Sequence, residues 1–109
     1  MRRQVRQLSA LLLLLACARA PYTLDAGVDF VDVTTNGAFH LNADYPVNFK
    51  ADDGERIDVK SSMTTLPCQS DPEQWCAAHM SVPNKAGVLA FSVCSKDVCN
   101  IEKVPLSRR

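Results

Sequence analysis

Past the first twenty residues, apolar and polar positions alternate with a period of two over short stretches, and turn signals separate those stretches. The first predicted strand covers residues 28–33, where Asp29 and Asp32 break the alternation and suggest a bulge or an edge. Residues 34–37 form a turn, with Asn36-Gly37 as its strongest signal, and residues 38–42 follow as a strand with Phe39 and Leu41 on one face and His40 on the other. Tyr45, Val47 and Phe49 alternate with Pro46, Asn48 and Lys50, the pattern of a half-buried strand; Pro46 has no N–H and belongs at its start or on an edge. After a turn at Asp52-Asp53-Gly54, Ile57 and Val59 alternate with charged residues, and residues 61–75 read as loop. Ala78, Met80 and Val82 make another apolar face, residues 83–87 turn the chain, residues 88–94 are an apolar-rich strand, and residues 101–106 form the last. No stretch of this region shows a 3.6-residue period. Seven or so short strands at regular spacing predict an all-β fold, a small β-sandwich with a small barrel as the alternative.

The first twenty residues change the picture from a plain domain to an exported one. Arg2, Arg3 and Arg6 form a positive start, residues 8–16 are an almost unbroken apolar run, and small residues follow at Ala16, Ala18 and Ala20. The run is too short to span a bilayer, which needs about 20 apolar residues. Residues 1–20 are therefore expected to be a signal segment and residues 21–109 a single disulfide-bonded β domain. Cleavage after Ala20 or after Ala18 fits the small-x-small rule, although Pro21 disfavours the first. Leu14-Leu15-Ala16-Cys17 also resembles a bacterial lipobox, which makes Cys17 a candidate lipidation site and a signal ending at residue 16 the third reading. In the lipidated form residues 18–25 would act as a short tether.

Charge then narrows the partners. From Pro21 onward, eight Lys and Arg against twelve Asp and Glu give −4, whereas the whole chain sums to zero. A mildly acidic domain without a basic patch is not expected to bind nucleic acid, and its contact with a membrane is expected only through a lipid on Cys17. A domain of this size buries a modest core, and exported domains of that kind commonly depend on disulfides. Cys68, Cys76, Cys94 and Cys99 remain once Cys17 is assigned to the signal, an even number that reads as two disulfides with three possible connectivities. Cys94 and Cys99 enclose four residues between two predicted strands, so a hairpin would oppose them directly. Cys68 and Cys76 bracket a polar loop holding Trp75, and the simplest pairing closes that loop as a structural disulfide.

Residues 91–99, Phe-Ser-Val-Cys-Ser-Lys-Asp-Val-Cys, followed by Lys103-Val104-Pro105-Leu106, resemble the N-terminal periplasmic domain of the thiol:disulfide interchange protein DsbD. Phe39-His40-Leu41-Asn42 fits the family's early strands more loosely. The resemblance implies an immunoglobulin-like β-sandwich whose hairpin cysteines, here Cys94 and Cys99, form a redox pair. It implies an envelope thiol–disulfide protein as partner, and no cofactor. The residues by themselves leave a second reading open: a non-enzymatic envelope module that binds a protein partner and in which both bridges are purely structural.

Other chemistry is weaker. A four-cysteine zinc site needs closer cysteine knuckles than the Cys68 to Cys76 spacing provides. His40 and His79 each stand alone in a predicted strand without a nearby carboxylate pattern and read as solvated residues, not as metal or hydrolase groups. Asp52-Asp53-Gly54-Glu55 lacks the ligand ladder of a calcium loop and reads as a polar hairpin turn. Neither a glycine-rich phosphate loop nor a nucleophile elbow is present in the sequence.

Overall fold

A computed structural model describes residues 20–107 of the chain. The expected signal segment and Cys17 lie outside the described residues apart from Ala20. The strands are β1 (Tyr22–Ala26), β2 (Phe30–Thr35), β3 (His40–Leu41), β4 (Asn48–Ala51), β5 (Arg56–Asp58), β6 (Thr64–Pro67), β7 (Trp75–Ser81), β8 (Gly87–Cys94) and β9 (Cys99–Leu106), with one 3₁₀ turn at Lys60–Ser62. Among the described residues, no helix is long and apolar enough to cross a membrane.

Every pairing is antiparallel. Strands β6, β7, β2 and β1 lie side by side in that order, as do β9, β8, β4 and β5. Strand β3 joins the two halves, pairing Leu41 with Trp75 of β7 and His40 and Leu41 with Cys94 and Val93 of β8. The hydrogen-bonded network thus folds over on itself at β3. Lettered in chain order without β3, the halves read A-B-E-D and C′-C-F-G, the strand order of an immunoglobulin-type β-sandwich. The sandwich, not the barrel, is the fold.

Alternation places the core between the halves. Val31 and Val33 of β2 and Ala78 and Met80 of β7 face Phe49 of β4 and Leu89, Phe91 and Val93 of β8 in one buried cluster. The largest fully buried side chains are Phe49, Phe91, Met80 and Leu89, each contributing about 1.5–3 kcal/mol of burial. Tyr22 reaches across from β1: its ring meets Phe91 edge-on at 5.1 Å, and its hydroxyl donates to Glu102 Oε1 at 3.3 Å. Burial first, and the Glu102 carboxylate second, push the Tyr22 phenol above its ordinary pKa. Gly87 opens β8 where a Cβ would sit 2.7 Å from the Ala51 Cα, so the close approach of β8 to β4 requires glycine there.

Several predicted boundaries move. Residues 22–26 are a strand, not tether, and the described residues form nine strands where seven or so were expected. The predicted strand over residues 28–33 starts two residues later. Val28 lies in the connection and is 70% exposed. Asp32 marks neither an edge nor a break, since β2 has β1 on one side and β7 on the other. The Asn-Gly turn centres on Gly37, whose φ of 59° only glycine adopts freely, while Thr34 and Thr35 still belong to β2. Residues 64–67, expected as loop, form β6 on the outer edge of β7. Asp53 and Glu55 do converge on a cation, the Lys85 ammonium (2.9 Å from Asp53 Oδ2), which ties the β4–β5 turn to the loop before β8. The Glu55 backbone N–H, then Lys85, hold the Asp53 carboxyl below its ordinary range.

Candidate disulfide site

Strands β8 and β9 pair along their whole length, from Gly87 opposite Leu106 to Cys94 opposite Cys99. The Ser95 N–H donates to the Val98 carbonyl at 2.8 Å, which narrows the loop to a tip at Lys96 and Asp97. Hydrogen-bonded and non-bonded pairs alternate in an antiparallel ladder, so Cys94 and Cys99 form the closer, non-hydrogen-bonded pair. They are bridged, with Cα atoms 3.9 Å apart. The local pairing expected for Cys68 and Cys76 is also present, at a Cα separation of 4.8 Å. All four cysteines of the domain are therefore in disulfides, which removes the thiolates that a zinc site would need. Two bridges in a domain this small fit an oxidising, extracytoplasmic setting.

The two sulfurs of the hairpin bridge differ in access. In β8, Leu89, Phe91 and Val93 point into the core, so Cys94 and Ser92 point to the outer face. Cys94 is nevertheless only 4% exposed, because β3 covers it on the side away from β9. Cys99, at the start of the edge strand β9, is exposed. It is followed on the same face by Ile101, which is 56% exposed.

No local pattern marks what stands beside Cys94. His40 of β3 is its register partner, so the outer face carries the row Cys99, Cys94, His40 across three strands. Opposed residues have Cβ atoms about 4.5–5.5 Å apart. One register step away, the Asn42 side-chain amide donates to the Ser92 hydroxyl at 3.3 Å. His40 is half-buried, not fully solvated as the strand pattern suggested.

The second bridge sits on the other flank of β3. The Cys76 Sγ contacts the Phe39 carbonyl at 3.7 Å, and the Thr35 hydroxyl donates to the Cys76 carbonyl. Cys68 is buried and Cys76 half-buried. Trp75 begins β7 and packs against the core. His79 is also not the lone residue the sequence suggested. Its Nδ1 meets Asp32 Oδ1 at 2.5 Å across β2 and β7, and its ring stacks on Phe30 at 5.3 Å. This pair lies on the outer face of the β6-β7-β2-β1 half, away from the row through Cys94.

No family model, no curated protein and no solved structure matches this chain. The expected all-β sandwich is present in the strand order.

Proposed function

We propose that the protein is a thiol–disulfide exchange partner in the bacterial envelope and that the Cys94–Cys99 bridge is its working disulfide. The supporting observation is the asymmetry of that bridge: Cys99 is exposed at the start of an edge strand, and its partner Cys94 is buried between β9 and β3. Exchange requires an incoming thiolate to reach one sulfur in line with the S–S bond. Here access favours Cys99, so the mixed disulfide forms on Cys99 and Cys94 leaves as thiolate. A second thiol of the partner then attacks the mixed disulfide at the partner's own sulfur and releases Cys99. The partner dithiol becomes a disulfide, and Cys94 and Cys99 become thiols, a transfer of two electrons and two protons. The Cys68–Cys76 bridge stays closed in this reading and serves as a structural staple.

Residues 1–20 would direct export, and lipidation of Cys17 would hold the domain at a membrane with β1 starting five residues later at Tyr22. The resemblance to the DsbD domain supports the same chemistry for the pair.

The full-length protein carrying Cys94→Ser, expressed with its export segment, tests the proposal. Its free Cys99 should accumulate a disulfide-linked partner that reductant releases, and Cys99→Ser should accumulate much less. Titration of the oxidised domain in glutathione buffers should place the midpoint above about −300 mV. A midpoint well below that value, with no linked partner in either variant, would leave a structural staple and a non-enzymatic binding module. The burial of Cys94 is the observation that favours that second reading.

A further inference from the structure

We propose that His40 donates the proton that quenches the Cys94 thiolate when the Cys94–Cys99 disulfide opens. This inference rests on the exchange reading above and adds a residue to it.

The need for a donor follows from burial. A thiolate in poorly solvated surroundings is disfavoured, and a sulfur that leaves as an unstabilised thiolate leaves slowly. Cys94 is 4% exposed, so water solvates it little. Attack at the exposed Cys99 makes Cys94 the leaving group in every turnover. The sulfur that must carry the charge is therefore the one in the poorer position to carry it.

The ladder shows what stands beside it. A residue in a central strand has two cross-strand neighbours on its own face. For Cys94 these are Cys99 on β9 and His40 on β3. Other polar groups nearby are occupied or out of register. The Ser92 hydroxyl accepts from Asn42 and is not acidic enough to protonate a thiolate, and Lys96 and Asp97 sit at the hairpin tip beyond the bridge. Lys60 is committed to the carbonyls of Ala43 and Tyr45. Among the described residues, imidazole is the only ionisable side chain in register with Cys94.

The step balances. As the partner sulfur bonds to Cys99 Sγ, the Cys99–Cys94 bond breaks and its electron pair passes to Cys94 Sγ. His40 in its imidazolium form transfers a ring N–H proton to that sulfur and is left as neutral imidazole. Each partner thiol gives up a proton to solvent as it attacks, and solvent returns one to His40 and one to the released Cys99. The same arrangement run backwards lets His40 take the proton from Cys94 when the reduced pair closes again.

The test opens the disulfide in the purified oxidised protein with dithiothreitol, which needs no natural partner. Samples are quenched by alkylation and followed by the mass of the peptides that hold Cys94 and Cys99. We expect His40→Ala to slow opening about tenfold, the scale of one lost hydrogen bond to a charged group. His40→Gln, which keeps a side-chain donor but has no proton to give, should recover only part of that rate. In the reduced protein carrying Cys99→Ala, ultraviolet thiolate absorbance should show Cys94 titrating at higher pH once His40 is replaced. Equal opening rates in wild type, His40→Ala and His40→Gln, all folded by circular dichroism, would overturn the proposal. Full recovery by His40→Gln would overturn proton transfer as well, leaving a hydrogen bond alone. None of these outcomes depends on whether an envelope partner is trapped, so this inference and the exchange reading fail separately.

Discussion

Truncating Phe91 to alanine tests the two-faced reading of β8 on which the site depends. Phe91 is 1% exposed and lies in the core cluster, edge-on to the Tyr22 ring at 5.1 Å. Removing a fully buried phenylalanine costs about 3–5 kcal/mol through lost transfer energy and the cavity left behind. An aromatic pair in this geometry contributes about 0.5–1.5 kcal/mol beyond area burial, and that contribution is lost too. The upper half of the range, about 4–5 kcal/mol, is therefore expected. The control is Val88→Ala, on the opposite face of the same strand and 37% exposed, where less than about 1 kcal/mol is expected. Urea unfolding of the two oxidised variants, followed by circular dichroism, reads both losses from the midpoints at constant slope. At about 4–8 °C per kcal/mol for a domain of this size, heating should lower the Phe91→Ala midpoint by more than about 15 °C. A Phe91→Ala loss below about 1.5 kcal/mol, or one no larger than that of Val88→Ala, would refute the assignment of odd-numbered positions in β8 to the core. The outward placement of Cys94 would fall with it.

Two further outcomes concern the parts that frame the site. The Tyr22 phenol titrates above its ordinary pKa in the folded protein, so it binds its proton more tightly folded than unfolded. The stability this contributes is complete below the unfolded tyrosine pKa of about 10 and is lost as pH rises through the folded value; Tyr22→Phe should show a smaller alkaline loss in urea midpoints measured from neutral to high pH, and an unchanged loss would contradict the upward shift that burial, and then the Glu102 carboxylate, give this phenol. Replacing Cys68 and Cys76 together by alanine opens a nine-residue loop, for which chain entropy gives a loss of about 2.6 kcal/mol; the Cys94–Cys99 bridge should keep its glutathione midpoint, and a shift of that midpoint would show the two bridges to be coupled through β3.

The sequence by itself determined the class of the fold, because a period of two is a local property. Val47 and Phe49, and Ala78 and Met80, stand on the buried face where alternation put them, and residues 88–94 form the apolar-rich strand their composition predicted. It also made the local pairing the simplest of the three connectivities, since each bridge joins cysteines five or eight residues apart and needs only the chain between them to turn back. The strand over residues 22–26 was illegible, although Tyr22 and Leu24 alternate with Thr23 and Asp25. Five residues next to an apolar run carry too little pattern, and what holds them is the register with β2 and the reach of Tyr22 to Phe91 and Glu102. Residues 64–67 were lost for the same reason, with Pro67 and an exposed Leu66 disguising an edge strand whose hydrogen bonds all come from β7. Asp32 and His79 are 47 residues apart, so their pairing left no trace in either local pattern. His40 beside Cys94 is the same case: a two-residue strand becomes a neighbour of the disulfide only because β3 pairs with β7 and β8 at once. Alternation assigns a residue its face, but its neighbour on that face is set by backbone hydrogen bonds to strands far away in the chain, and only the folded sheet holds those.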